Sequence, residues 1–549
     1  MQTVPDMRGV GVKNRGKFAD VLCGRPLRTT LLTSTTSVTS CTSQLLDMFV
    51  LTLILGLIGL LALYVRKKHN YFKNVGIPYA PGTFPLGSSL VWKCFRGEES
   101  LLQVADSYFD QFPSTKLFGF YKPLGEPVIA IKDLDLTKRI MITDFEYFVD
   151  RRFIRPNPKG NKHISMILPV LKGDSWKTSR NLLTPMFTSS KLKAIMPLIH
   201  QCGEKFTEYL QNFEQDHLDC KEAMQRFTIE ILGSLGCGVT PNVMYETNEF
   251  YDQAMLLSGA TAPPLKSALR LAVNFFFPDL SYRLNLSVFD TDNLNFFIEV
   301  IKNSMHSRKQ RRNDFIDLLR DTVEELDDEK KKMLNSENDI TDYVIANGLM
   351  LFFVGNDTSS GALALALHNM ARYPDVQEKL YLEIQDAIDN NNGEPDLDYH
   401  TLNNLPYLGK VIRETIRLWG INFFDRTCVK DYFIPELNYT IPKGMHVTVA
   451  GGRIMRDAEN HENPLEFDPE NHFTTNSPSP SNFLGFGQGP RGCIGMRLAY
   501  TIVRSGLIHT LAKYKVVKGP KTTEEWNFNA TITGGIGHNQ LFVKLEPRF

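Results

Sequence analysis

Apolar positions recur at three- and four-residue intervals through 187–214, 290–306, 340–372, 374–390 and 405–419, a spacing that predicts long helices. Strand-like runs are few and short. They are PVIAI (127–131), YTIPKGMHVTV (439–449), which a Pro-Lys-Gly turn interrupts, and LFVKL (541–545). Mixed charge crowds RDTVEELDDEKKKMLNSEN (320–338), as expected of a solvated surface connection. The pattern is that of a mainly α chain with minor β sheets.

One run breaks this amphipathic rhythm. Met48–Val65 carries no charge; at 1.5 Å per residue it spans about 27 Å, near the ~30 Å of a bilayer core. A buried helix or the core of a signal peptide is the alternative. Arg66, Lys67, Lys68, His69 and Lys73 follow, whereas the twenty residues before hold Arg28 as their only base, so the positive-inside rule keeps the remainder cytosolic. No small-residue cleavage site follows, which favours a retained, single-pass anchor. Upstream, residues 1–47 are net basic and rich in Ser and Thr, a composition of disorder or of a transit peptide, and Met48 is an alternative start. Residues 66–85 read as a basic and then Pro-rich linker, with three prolines in GIPYAPGTFP (76–85), and 86–549 as one catalytic body.

Composition narrows the partners. Basic and acidic residues balance at 61 each, which gives no hint of nucleic acid, and 42% apolar residues suit an ordinary globular body. The eight cysteines are scattered without a CxxC pair, against both a disulfide framework and a zinc site, and in keeping with a reduced compartment.

The densest chemistry lies in FLGFGQGPRGCIGMRLAY (483–500), where Cys493 stands among glycines. Glycines let backbone approach a flat object closely. The following residues turn helical, so the thiol lies near a helix N-terminus, whose dipole favours the thiolate. One thiolate in such a loop suits an axial bond to haem iron. A small buried cysteine on a turn fits equally well.

Phe486, Gly489, Arg491, Cys493 and Gly495 reproduce F-x-x-G-x-R-x-C-x-G, and by them the chain resembles the haem-thiolate monooxygenases, the cytochromes P-450, from about residue 70 to the end. RRNDFIDLL (311–319) and MFTSSKLK (186–193) look most like the animal microsomal, xenobiotic-metabolising branch. The resemblance implies a triangular helical body around a buried haem b. It makes Cys493 the axial iron ligand, with Phe486 near the sulfur and Arg491 at a haem propionate. Trp176 and Arg180 match W-x-x-x-R, and Arg426 and Arg151 further propionate arginines. In FFVGNDTSS (352–360), Asp357 and Thr358 match the acid and alcohol over the distal haem face, with Gly355 opening the groove beside them; a kinked helix with Thr358 bonded back to a carbonyl is the plainer reading. Glu414 and Arg417 match the structural E-x-x-R pair, but FDPENHF (467–473) offers Asn471 and His472 where the third, arginine arm is expected. Val354 and Gly420 also depart from the usual alanine and proline.

The function implied is insertion of one atom of O2 into a lipophilic small molecule, a xenobiotic, steroid or fatty-acid-like compound. Electrons come from NADPH through a flavoprotein reductase, with cytochrome b5 as a second donor, at the endoplasmic reticulum membrane. Segments 163–171, 240–285, 345–358, 421–424 and 530–536 match the family's pocket regions, and ATAPPLK and FFFPDL within 260–280 are candidates to dip into lipid. Lys177, Lys191 and Lys193 are candidates for the reductase surface. Competing readings are a haem-thiolate isomerase or dehydratase acting on hydroperoxides, against which Asp357 and Thr358 speak, and a non-catalytic haem-binding membrane protein. Substrate identity, site of oxidation, oligomeric state and the part played by His472 stay open at the level of sequence.

Overall fold

The computed structural model describes residues 35–83, 86–88, 93, 101–152, 154–213, 217–258, 265–334, 340–420, 423–474, 480–523 and 541–548. The chain divides into two compact units, 1–63 and 64–549. A single helix, α1 (Thr35–His69), begins ahead of the apolar run and carries 35–47 as regular helix rather than disorder; residues 1–34 lie outside the described residues. Side chains along Met48–Tyr64 are almost all exposed, and Met48–Val75 has the length and composition of a membrane span. Arg66, Lys67, Lys68 and His69 fill the last turn of α1, where cations suit the helix dipole.

The described part of the linker expected at 66–85, residues 66–83, belongs to the larger unit. Phe72 is fully buried, Tyr121 Oη donates to the His69 carbonyl at 2.6 Å, and Tyr79 bridges to Gly119. Apolar side chains at 72, 77 and 80 have a core to enter, so this segment is a docked strap.

Mainly helical structure follows, as the periodicity predicts. The helices used below are α2 (Gly173–Leu183), α3 (Ser189–Gln211), α4 (Cys220–Leu232), α5 (Leu265–Phe276), α6 (Ile340–Arg372), α7 (Pro406–Trp419) and α8 (Met496–Leu511). Helix α6 is nearly apolar all round, which marks a helix enclosed by protein. It packs against α4, α7 and α8 as the central rod of the core.

A four-stranded sheet supplies the other wall of the site. Its strands are β1 (Leu117–Lys122), β2 (Glu126–Ile131), β3 (Phe423–Thr427) and β4 (His446–Ala450), in the order β1-β2-β4-β3. β2 and β4 run parallel, and the other pairings are antiparallel. The charged stretch after 320 is helical over Phe315–Glu324 and Asp328–Met333, with Val323 and Leu334 buried beneath a mostly exposed face.

Candidate functional site

Between α6 and the sheet lies a cavity of about 700 Å³. Period-two alternation sends one face of the sheet into it: Phe118, Phe120 and Lys122 from β1, Val128 and Ala130 from β2. His446, Thr448 and Ala450 from β4, with Phe423 and Asp425 from β3, complete that wall. Helix α6 contributes Met350, Leu351, Val354, Gly355 and Thr358.

The cysteine loop closes the opposite side. Gly489 has a φ of +69°, and a Cβ there would collide with the Met141 carbonyl, so only glycine permits this approach. Cys493 N–H donates to the Phe486 carbonyl at 2.8 Å, folding the loop back on itself. Cys493 has accessible surface, but that surface forms wall of the cavity and of a more open groove behind it, shared with Lys138, Ile142 and Met496. The helix-dipole expectation is only partly met. Cys493 precedes Met496, the first residue of α8, and burial pushes its thiol up. The Gly495 N–H and the charges of Arg180 and Arg151 pull the other way.

Arginines crowd this end of the site. Arg180 Nη1 donates to the Gly492 carbonyl at 2.9 Å and Arg151 Nη2 to the Arg491 carbonyl at 3.1 Å, tying both to the loop. Arg491 spends its guanidinium on the carbonyls of Val149, Leu168 and Leu171 and lies over the Trp176 ring at 4.2 Å. Arg426 is fully buried and gives Nη1 to the Asp425 carbonyl, while among the described residues its Nε and Nη2 have no hydrogen-bond partner; Arg151 Nε has none either. Burial and then the neighbouring Arg151 push Arg426 down to about 9. Burial, Arg151 and Arg426 likewise push Arg491 down to about 8. Buried guanidiniums with unused donors are the natural complement of a carboxylate-bearing group. The donor set, a lone sulfur facing an apolar slot, suits haem iron. The residues fit the group the sequence implies.

On α6, Thr358 and Asp357 part company. Thr358 reaches the cavity with its hydroxyl donating back to the Val354 carbonyl at 2.8 Å, as expected of an alcohol inside a helix. Asp357 turns away from the lining and accepts from Lys221 Nζ of α4 at 2.9 Å. Gly355 packs on Leu232 of α4. Val354 is 42% exposed, onto the cavity. Of the sequence-matched pocket segments, Leu168, Pro169, Phe275, Phe276 and Phe424 line the cavity, whereas 421–422 and 530–536 lie outside the described residues.

His472 completes the third arm. Its Nδ1 is 2.9 Å from Glu414 Oε1 and its Nε2 is 2.6 Å from the Glu462 carbonyl. Sequence reasoning did not single out Lys221, Lys122, His446 or Asp425. For Lys122 a signal existed: it follows Phe118 and Phe120 on the inward parity of an apolar strand.

The sequence model of the cytochrome P450 family matches residues 83–542. Among curated proteins, cytochrome P450 6B1 of Papilio polyxenes is 28% identical over 515 residues, 91% of this chain and 99% of the relative. Probable cytochrome P450 6a21 of Drosophila melanogaster is 29% identical over 511 residues, 90% of this chain and 98% of its own length. Probable cytochrome P450 6a13 of the same fly is 31% identical over 412 residues, 73% of this chain and 80% of that protein.

Proposed function

The chain belongs to the cytochrome P450 family and is a haem monooxygenase, and from that premise we propose that it oxidises lipophilic, xenobiotic-like molecules from the endoplasmic reticulum membrane. On this reading α1 is the anchor, the catalytic body is cytosolic, and electrons arrive from NADPH through a flavoprotein reductase, with cytochrome b5 as a second donor. The single observation that carries the site assignment is Cys493 in a largely apolar cavity that Arg151, Arg180 and Arg491 also line, with Arg151 Nε unpaired among the described residues.

Cys493 would hold the haem iron, and Arg151, Arg180, Arg426 and Arg491 would receive its propionates. Arg491 is itself braced by three carbonyls and the Trp176 face. Bound haem supplies the activation of dioxygen and its transfer to substrate. This chain's own residues do the rest. Aromatic and aliphatic walls exclude water and orient an apolar substrate. Thr358 holds a proton-bearing oxygen, Oγ1, at the cavity edge. Asp357, paired with Lys221 away from the cavity lining, would take protons from outside and hand them toward Thr358 when that pair opens.

Turnover by the haem-loaded protein tests this reading. Product from an apolar substrate should require NADPH, reductase and O2 together. Rearrangement of a fatty hydroperoxide with none of these present would instead establish the isomerase reading.

A further inference from the structure

The cavity is apolar on nearly every wall, yet the sheet places one ammonium in it. Lys122 is only 5% exposed, and what it exposes faces the cavity. A buried ammonium has three donors to satisfy, and leaving them unmet is costly. Among the described residues Lys122 Nζ makes no hydrogen bond and no close ion pair; its nearest described aromatic partner is the ring of Phe275, with the centroid at 5.7 Å.

The neighbouring acids are committed elsewhere. Glu126, across the β1–β2 hairpin, pairs with Arg152 Nη1 at 2.8 Å. Asp425 pairs closely with His446 Nε2 and accepts from the Arg152 N–H. Arg152 gives its remaining arm to Asp279 at 2.9 Å. Asp425 already has donors, whereas Glu126 has the Arg152 ion pair but no hydrogen bond to Oε1 among the described residues; Lys122 stands within the field of both carboxylates with a flexible four-carbon stem and a point charge.

We propose that Lys122 anchors the head group of an acidic substrate, so that this enzyme selects lipophilic carboxylates and fixes which end of the molecule reaches the Cys493 side of the cavity. The inference deepens the monooxygenase reading and rests on it. The aromatic walls Phe118, Phe120, Phe275 and Phe276 enclose the apolar tail, and the carboxylate fills the ammonium's donors.

Binding of dodecanoic acid and of its methyl ester to the haem-loaded protein provides the test, measured by calorimetry and by the ligand-induced haem difference spectrum. The acid should bind about tenfold more tightly than the ester. K122Q should collapse that difference, and K122R should restore most of it. Equal affinity of acid and ester in the unaltered protein, a comparison that needs no variant, overturns the proposal. So does a K122Q protein that keeps the acid's advantage. Loss of the haem spectrum in K122Q, with acid and ester alike in the parent, would assign Lys122 to the prosthetic group instead. A parent protein that takes up no haem at all defeats the monooxygenase reading, and that outcome is visible before any ligand is added.

Discussion

Two groups in this molecule are each built around a fully buried arginine and differ in how completely it is partnered. Around α7, Glu414 accepts from Arg417 Nε at 2.7 Å, from Arg417 Nη2 and His472 Nδ1, and from the Asp468 N–H at 2.9 Å. Arg417 gives its other donors to the carbonyls of Met455, Pro464 and Glu466. Both residues are fully buried with their charges matched inside the chain. At the cysteine loop, Arg426 is equally buried, but among the described residues Nε and Nη2 have no hydrogen-bond partner, and the charges around it are those of Arg151 and Asp425. A closed network holds a fold together. An open one leaves donors for a ligand to use.

The comparison breaks first at Glu414. Glu414→Ala leaves Arg417 as an uncompensated buried charge and should cost about 3–5 kcal/mol, read as a large fall in melting temperature and little folded protein. A melt close to that of the parent would mean the network is not closed as described.

The open group predicts the opposite sign. Arg426→Leu removes a buried, poorly partnered charge from beside Arg151, so the haem-free protein should melt no lower than the parent. Its haem affinity should fall about tenfold, the loss of one charge-assisted hydrogen bond. Haem titration of the apoprotein alongside its thermal melt separates the two effects, and a variant destabilised without haem would merge the two groups into one class.

His472 sharpens the contrast most finely. Burial alone would lower its imidazole, but the hydrogen bond to Glu414, the Glu414 charge and the Glu462 carbonyl raise it above the usual histidine value. With the folded value raised, its stabilisation is fully present below the unfolded value of about 6.5 and is lost as pH climbs through the folded one. Melting temperature should therefore fall as pH rises above about 6.5 in the parent, and His472→Arg should flatten that fall, since arginine stays charged. Parallel curves for the two proteins would remove His472 from the network's balance.

How much of this was legible beforehand follows from sequence distance. The cysteine loop and the Glu414–Arg417 pair are local, so the resemblance to the family could be read from short motifs, whereas the long helices stood in the spacing itself. The mainly helical fold with small sheets also stood in the periodicity. The partner of Asp357 did not, because Lys221 comes from a separate helix 136 positions away. The Cys493 thiol illustrates a second limit: a helix start is visible in sequence, whereas the burial that opposes it is a property of the assembled site. Strand β1 passed unnoticed because LFGFYK is nearly all buried and lacks a simple inside-outside alternation of polarity. The prolines of 76–85 suggested an extended connector, but docking of the described part depends on where Phe72 and Tyr79 find room.

Everything in the open group turns on the sulfur at its centre. The most direct measurement is the carbon monoxide difference spectrum of the reduced, haem-loaded protein, taken for the parent and for Cys493→Ala. The account predicts the long-wavelength thiolate band in the parent and its complete loss in the variant. Persistence of that band in Cys493→Ala would contradict the assignment of Cys493 as the haem ligand.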